Sequence, residues 1–536
     1  MNLALIQQEI CVVLTGLSIL LLDLVTPAVH KPKLPWLGIA VLSILFLSSW
    51  STPQPISPGD SIVAKGHSGP LYVRVVRPHA ETVTAHPLDK RSAETEVTLR
   101  DATPVGFHGS HVQDSLARFF KTLFLLGGLL TLVITREFAG RLPGGAPEFA
   151  ALILFALAGM MFAASAHGFP QLFVAIELIT ITFYILASYQ RHRLRSLEAG
   201  VKYLVLGATA SAILVFGIAL VYGASGALGF SQIAALEKTG FTTSQWTILQ
   251  IGFLLVLAGL GFKLAMVPFQ VWAPDVYQGA PAPAAAFLAI GSKAAGVVLL
   301  LRVADLALSL DDTLYGRVLP WLAAATLLYG TLCALPQRNL KRLLAYSGIA
   351  HAGYLLLGFT VFGEDGTQAI LYYLAGYTFA VAAAFLAITL ACPEDEDEDL
   401  STLAGLHRRS PLLAGVLTLA VVSLAGLPPL AGFLGKFLVL RAVLAEAVTD
   451  PALAWLAGIA LFSVVASLYY YFGIIREIFW GEPAPWEPKT PRQKLALSRT
   501  ARATLVACAG GLVVLGVYPR PFLAWAEEAA KSLFAL

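Results

Sequence analysis

Charge is what this sequence has least of. Only 13% of its 536 residues are Asp, Glu, Lys or Arg, against 57% hydrophobic residues and a mean hydropathy of +0.74. A soluble chain of this size would carry more charge, so the composition points to a polytopic membrane protein. The formal net charge of +3 leaves no basic surplus to hold nucleic acid. Cysteine is scarce too: Cys11, Cys333, Cys392 and Cys508 are scattered through apolar stretches. No CxxC or His–Cys spacing offers a metal or iron–sulfur site, and no Gly-rich phosphate loop follows a strand. If redox chemistry drives this protein, the electrons travel elsewhere. The N-terminal MNLALIQQEICVVL lacks a basic n-region and carries Glu9, the pattern of a retained first helix and not of a cleaved signal.

What is abundant is apolar sequence in windows of membrane-crossing length. Fourteen candidate spans lie near 2–25, 33–50, 117–135, 147–166, 168–189, 201–223, 246–269, 281–303, 317–335, 340–361, 367–392, 409–446, 453–477 and 500–518. The fold class is therefore an all-α polytopic membrane protein of about fourteen transmembrane helices. Short loops after odd-numbered spans hold Lys31, Lys33, Arg136, Arg141, Arg191, Arg193, Arg195, Arg338, Lys341, Arg342, Arg408, Arg409, Lys489, Arg492, Lys494 and Arg499, whereas those after even-numbered spans hold little beyond Lys238. The positive-inside rule then puts both termini on the outer side, and the acidic run 394–399 inside as a solvated loop. Segment 51–116 is the one sizeable extramembrane piece. Its stretches LYVRVV and ETEVTLR suggest a short strand pair, with a flexible loop as the plain alternative.

The chain is organised around Gly259–Pro283, GLGFKLAMVPFQVWAPDVYQGAPAP. An apolar helix carrying Lys263 runs into Pro268 and Pro274, which are expected to break it. The apolar pattern then resumes with one lysine, Lys293. The twelfth window is too long for one straight crossing and has Pro428 and Pro429 in its middle, so it should be broken as well. Two blocks of five spans, 147–303 and 317–477, share this plan, each with a proline-broken fourth member holding a lysine: Lys263 in the first, Lys436 in the second. The first block starts inside and the second outside, which makes an inverted-topology repeat with broken helices 7 and 12. The expected division is 1–146 with the insertion 51–116, 147–304, 305–478, and a tail 479–536.

Lone charges at lipid depth point to function. Glu177 is the single charge in FVAIELITITFYILASY; its bland reading is a neutral carboxyl in a polar pocket. Lys202, two residues into the sixth span, has a rival as a snorkelling anchor. Lys263, Lys293 and Lys436 lie too deep to snorkel without strain. His351, in YSGIAHAGYLLLGF, reads equally as a structural histidine and as a relay member. Asp275 and Tyr277 read as holding the break and its turn. Burial disfavours an ammonium and a nearby carboxylate restores it, so a Glu–Lys pair can load or release a proton when its separation changes. Lys263 is expected to be offset by Glu177, with unpaired backbone groups at the Pro268 break holding the water that carries the proton on. Nothing resembles a hydrolytic triad or a paired-carboxylate catalytic site. The chemistry is proton movement.

GFKLAMVPFQVWAPDVYQGAPAPAAAFLAIGSKAAG, SLEAGVKYLVLGATASAILVFGIALVYGASG, QRNLKRLLAYSGIAHAGYLLLG and LAGLPPLAGFLGKFLVLRAV resemble the N subunits of bacterial proton-pumping NADH:quinone oxidoreductase, complex I. The resemblance spans nearly the whole chain. The sister L and M subunits and the multisubunit sodium/proton antiporters typically have a HAATMV-like run in the eighth helix, where this chain has GSKAAG with Lys293. The resemblance implies a 14-helix fold and a proton channel along Glu177, Lys202, Lys263, Lys293 and Lys436. It implies a multi-pass protein of the bacterial cytoplasmic membrane, without cofactors of its own. FMN, iron–sulfur clusters and quinone belong on partner subunits, which include antiporter-like neighbours. Segment 51–116 is longer than the resemblance leads one to expect. The competing readings are a subunit of a cation/proton antiporter and a membrane scaffold with vestigial channel residues.

Overall fold

A computed structural model describes residues 3–50, 61–66, 69–78, 82–87, 95–98, 103–142, 145–237, 240–309, 314–392, 398–481 and 494–534. Lys238, Lys489, Arg492 and residues 394–397 of the acidic run lie outside the described residues. The helices are α1 (Gln7–Val25), α2 (Pro35–Ser48), α3 (Ser115–Glu137), α4 (Ala146–Ala164), α5 (Phe169–Ala187), α6 (Leu194–Ser225), α7 (Phe230–Glu237), α8 (Thr243–Leu264), α9 (Ala273–Gly279), α10 (Ala282–Phe287) and α11 (Lys293–Ser309). There follow α12 (Leu314–Ala334), α13 (Leu340–Thr360), α14 (Glu364–Ala391), α15 (Leu406–Arg409), α16 (Pro411–Ala425), α17 (Ala431–Thr449), α18 (Ala454–Trp480), α19 (Arg499–Val517) and α20 (Arg520–Leu533). A single π-helical turn, Leu288–Ser292, welds α10 to α11, so the two make one crossing, Ala282–Leu308.

Among the described residues thirteen helices are long and apolar enough to cross a membrane. The fourteenth crossing is the pair α16 and α17. At ~1.5 Å per residue α16, with 15 residues, falls short of a ~30 Å hydrocarbon core. The crossing formed by α10 and α11, together with α13 and α14, is almost wholly buried and forms the axis of the molecule. By contrast α6, α18 and α19 show apolar side chains such as Leu204, Val205, Phe216, Leu461 and Val514 to the outside. An apolar exterior of this extent belongs against lipid or neighbouring chains.

The two proline breaks form where the sequence places them, with a division of labour among the prolines. α8 stops at Leu264 and its chain turns at Ala265 in the left-handed region, φ 54°. Pro268 lies in the non-helical stretch that follows, but Pro274 does not break a helix. It sits in the first turn of α9, where the missing N–H costs nothing. In the second break α16 ends on Gly426, φ 85°, and Pro428 and Pro429 precede α17. Each break contains one cis X–Pro peptide, Val267–Pro268 and Pro428–Pro429.

The expected strand pair in 51–116 is a larger structure. Six strands, β1 (Ser61–Gly66), β2 (Gly69–Pro78), β3 (Thr82–Pro87), β4 (Thr95–Thr98), β5 (Thr103–Gly106) and β6 (His111–Val112), form an antiparallel sheet in the order β4-β3-β2-β1-β5-β6. LYVRVV lies in β2 and ETEVTLR around β4, yet the two do not pair, because β3 runs between them. The sheet is joined to the helices at β6, where the Val112 N–H donates to the Ser165 carbonyl at 2.9 Å.

Candidate functional site

Three lysines and one histidine are carried to the interior by α8, α11, α13 and α17. Lys263, Lys293, His351 and Lys436 are only 3–7% exposed.

Lys263 lies in the last turn of α8. Its ammonium donates to the Thr180 hydroxyl of α5 and stands 5.7 Å from the centre of the Tyr203 ring. Glu177, one turn before Thr180, accepts a hydrogen bond from the Ser211 hydroxyl of α6 and makes no ion pair with Lys263. The expected Glu177–Lys263 pair is thus replaced by a hydroxyl contact, because Glu177 lies on the half-buried edge of α5 facing α6. The backbone groups freed at the break are also largely taken by protein. The Phe262 carbonyl accepts from the Trp272 indole N–H at 2.9 Å, the Gly261 carbonyl from the Met266 N–H at 2.9 Å, and the Val267 N–H donates to Thr326 at 3.0 Å. Three of the backbone groups that the sequence left unpaired at the break thus have partners within the protein.

Lys293 opens α11 immediately after the π turn, a local widening that α-helices adopt at functional positions. Its ammonium donates to the Gly348 carbonyl of α13 and lies 5.2 Å from the centre of the Tyr377 ring. Lys263 reaches the same helix one turn on: a Cβ placed on Gly296 would sit 3.3 Å from the Lys263 Cβ. His351 has both ring nitrogens engaged, Nδ1 with the Tyr373 hydroxyl and Nε2 with the Tyr471 hydroxyl at 3.0 Å. A small cavity lined by His351, Tyr373, Tyr377, Ser423 and Gly432 opens beside it, of a size for about one water. Lys436, in the second turn of α17, donates at 3.0 Å to the Ala425 carbonyl that ends α16, and lies 4.8 Å from the Tyr354 ring centre. A cation at a helix C-terminus is stabilised by the dipole and by the free carbonyls there.

One helix strings these groups together. Gly348, His351 and Tyr354 are spaced by three down α13 and meet Lys293, the tyrosine pair and Lys436 in turn, over about 9 Å of helix rise. Lys202 is not in this row. It is partly exposed and ion-paired at 2.6 Å to both Glu198 and Asp275, while Asp275 also holds Arg342 at 2.6 Å. Asp275 thereby ties α9 to α6 and α13, a holding role for the break.

The tyrosines Tyr354, Tyr373, Tyr377 and Tyr471 carried no signal in the sequence, since aromatic residues in apolar helices are ordinary core. Two buried ion pairs were missed as well: Arg302 with Asp114, and Lys121 with Glu9 at 2.6 Å. The charges were visible, but each sits near a helix end, where a charge reads as solvated.

Residues 166–465 match the family described as NADH:quinone oxidoreductase/Mrp antiporter, transmembrane. The chain is 40% identical over 445 residues to the NADH-quinone oxidoreductase subunit N of Desulfitobacterium hafniense, covering 79% of this chain and 86% of that one. With the subunit N of Trichlorobacter lovleyi it shares 34% identity over 536 residues, 99% of this chain and 98% of that one. A chain of respiratory complex I from Thermus thermophilus superposes with a TM-score of 0.71 at 31% identity, covering 96% of this chain and 98% of its own. With its broken helices, its buried lysine row and these relatives, the chain belongs to the subunit N family of NADH-quinone oxidoreductases.

Proposed function

We propose that this chain is the proton-translocating, non-redox membrane subunit of an NADH:quinone oxidoreductase, and that Lys263, Lys293, His351 and Lys436 carry the proton sideways through it. The observation that supports this most is the arrangement on α13, which places Lys293, His351 and Lys436 against one run of the helix. A lysine held by neutral oxygens in a desolvated site can pass its proton on, which an ammonium in water does not do at neutral pH. Glu177, one turn from Thr180, biases Lys263 without touching it. Lys202 acts at the rim, with Asp275.

The chain's own residues receive, hold and pass protons. FMN, iron–sulfur clusters and quinone sit on partner subunits, and the energy arrives through contacts with neighbouring antiporter-like and peripheral subunits. The subunit lies in the bacterial cytoplasmic membrane with both termini outside. Labelling with an impermeant reagent tests the orientation: Ser68→Cys, at a position outside the described residues, should react from outside intact cells and Ser401→Cys should not. The reverse result would invert the topology.

The reading as a cation/proton antiporter subunit is disfavoured by Lys293, which occupies the eighth-helix place where such chains resemble one another in a histidine. The test of the function is Lys293→Met in the assembled complex, read as NADH-driven proton uptake into liposomes. The expected outcome is loss of most of the pumping that depends on this subunit. An assembled Lys293→Met complex that pumps at the wild-type rate would overturn the reading.

A further inference from the structure

The lysine row must deliver protons in one direction, and the two halves of the molecule end very differently on the side toward which α11 and α17 run. By the alternation of crossings, the C-terminal ends of α11 and α17 and the N-terminal ends of α3 and α14 share one face. In the first half, Lys293 is followed along α11 by Val297, Val298, Leu299, Leu300 and Leu301, all wholly buried. That run is closed by Arg302, nine residues and about 13 Å from Lys293. Its guanidinium grips Asp114 with two hydrogen bonds, Nη1 to Oδ2 at 2.6 Å and Nη2 to Oδ1 at 2.7 Å. Nη2 also donates to the Ala164 carbonyl at 3.0 Å, the last residue of α4. Asp114 in turn caps α3, accepting from the Ala117 N–H at 2.7 Å. Two helix ends are thus pinned to the middle of α11 at one point, and both side chains of the pair are within 2% of complete burial.

The second half ends open. Five residues past Lys436, about 7 Å along α17, stands Arg441, whose only described acidic neighbour is Asp365 at 3.9 Å. Their side chains are 54% and 83% exposed. A proton at Lys436 is therefore close to an exposed, charged rim. A proton at Lys293 faces an apolar helix run capped by a buried ion pair whose Arg302 Nε alone lacks a partner among the described residues.

We propose that the Asp114–Arg302 pair is the seal of the first half, closing the route along α11 so that protons reaching Lys293 continue by His351 to Lys436. The seal works because a paired, desolvated guanidinium presents a fixed positive charge at the end of an apolar run, with both terminal nitrogens and both carboxylate oxygens engaged and Nε left unpartnered among the described residues. Removing one partner leaves an uncompensated buried charge that draws water in. Asp114 and Arg302 act here as positioning residues; neither carries the proton.

The inference rests on the reading of the lysine row as the proton path, and the experiment separates the two. Purified complexes carrying Arg302→Gln, Asp114→Asn, Lys293→Met or Arg302→Gln with Lys293→Met are placed in liposomes. Passive proton leak is measured without NADH, and protons moved per NADH with it. For Arg302→Gln and Asp114→Asn a several-fold greater leak and fewer protons per NADH are expected, at an unchanged rate of NADH oxidation. The added Lys293→Met should abolish that leak, because the leak enters through the row. A wild-type leak in an assembled Arg302→Gln complex overturns the seal while leaving the row intact. A leak that persists with Lys293→Met shows a route that bypasses the row and also overturns it. Normal pumping by Lys293→Met alone overturns the row instead. If neither single variant assembles, the pair is a structural staple and the proposal falls.

Discussion

At the first break the lysine belongs to the helix that stops; at the second it belongs to the helix that starts. Lys263 sits in the last turn of α8, whose final carbonyls are already occupied by Trp272 and by the chain turning back at Ala265 and Met266. Its ammonium must look to another helix, and finds Thr180. Lys436 reaches backward across the gap and takes the last carbonyl of α16 directly. The first lysine therefore depends on a neighbouring side chain and on the carboxylate one turn away from it. The second takes its hydrogen bond from the backbone of the gap, beside the Tyr354 ring, with Gly426 and Gly432 making the room. A Cβ on Gly432 would collide with the Ser423 carbonyl, so α17 can start this close to α16 only with glycine there. Similar sequence patterns have produced two lysine sites of different sensitivity.

The largest effect expected is at the first lysine itself. Lys263→Ala removes the proton site. Lys263→Arg keeps the charge in a group that does not deprotonate at usable pH. Both variants should assemble and lose most of the pumping that depends on this subunit, measured as NADH-driven proton uptake. A Lys263→Arg complex pumping normally would make the lysine a structural counter-ion. Glu177→Gln should do less. Because Glu177 meets Ser211 and not the ammonium, partial loss with intact assembly is expected; loss as complete as in Lys263→Ala would mean that the pair forms during turnover.

The backbone supplies a smaller, opposed pair of effects. Gly426 holds φ 85° with Lys436 Cδ only 2.7 Å from where a Cβ would stand. Gly426→Ala should cost about 1–2 kcal/mol in stability and displace the lysine, lowering pumping. Ala265 already occupies the left-handed region at φ 54°, so Ala265→Gly should cost nothing and relieve about 1 kcal/mol. Thermal unfolding of the two variants measures the contrast, and equal effects of the same sign would erase it.

The smallest effect is a pH dependence confined to the sealed end. His167, between α4 and α5, shares a 2.6 Å hydrogen bond with Ser231, and burial, helped by Arg302, lowers its pKa from 6.5 to about 4. The folded state thus favours the neutral ring. Its stability is full above pH 6.5 and declines below it, as the unfolded chain takes up a proton that the folded one refuses until about pH 4. The loss is about 1.4 kcal/mol per pH unit at most. Thermal unfolding at pH 7.5 and 5.5 should differ by less in His167→Asn than in the native chain; an unchanged difference removes His167 from the account.

Much of the site was legible because lipid makes lone charges conspicuous. Glu177 and Lys263 each stood alone in an apolar window, Lys293 and Lys436 lay deep in theirs, and prolines in such windows marked the breaks. Lys202 carried the same kind of signal and resolved differently, since its place near a helix end let it reach Glu198 and Asp275 at the rim. The sheet was only half visible. Alternation flags a strand, but pairing is decided by which strand lies between, and β3 separates the two stretches the alternation picked out.

By itself the sequence determined the number of crossings, the two interrupted helices and the three deeply buried lysines beside the breaks and in the eighth crossing. These follow from hydropathy over windows of ~20 residues and from the missing N–H of proline, both of which are local. Tertiary structure alone decided what each charge touches. Thr180 in place of Glu177, the Gly348 carbonyl under Lys293, the tyrosines around His351 and the clasp of Arg302 on Asp114 all join residues far apart in the chain. An ammonium's partner is set within ~3 Å, and only the packing of helices against one another places atoms that finely.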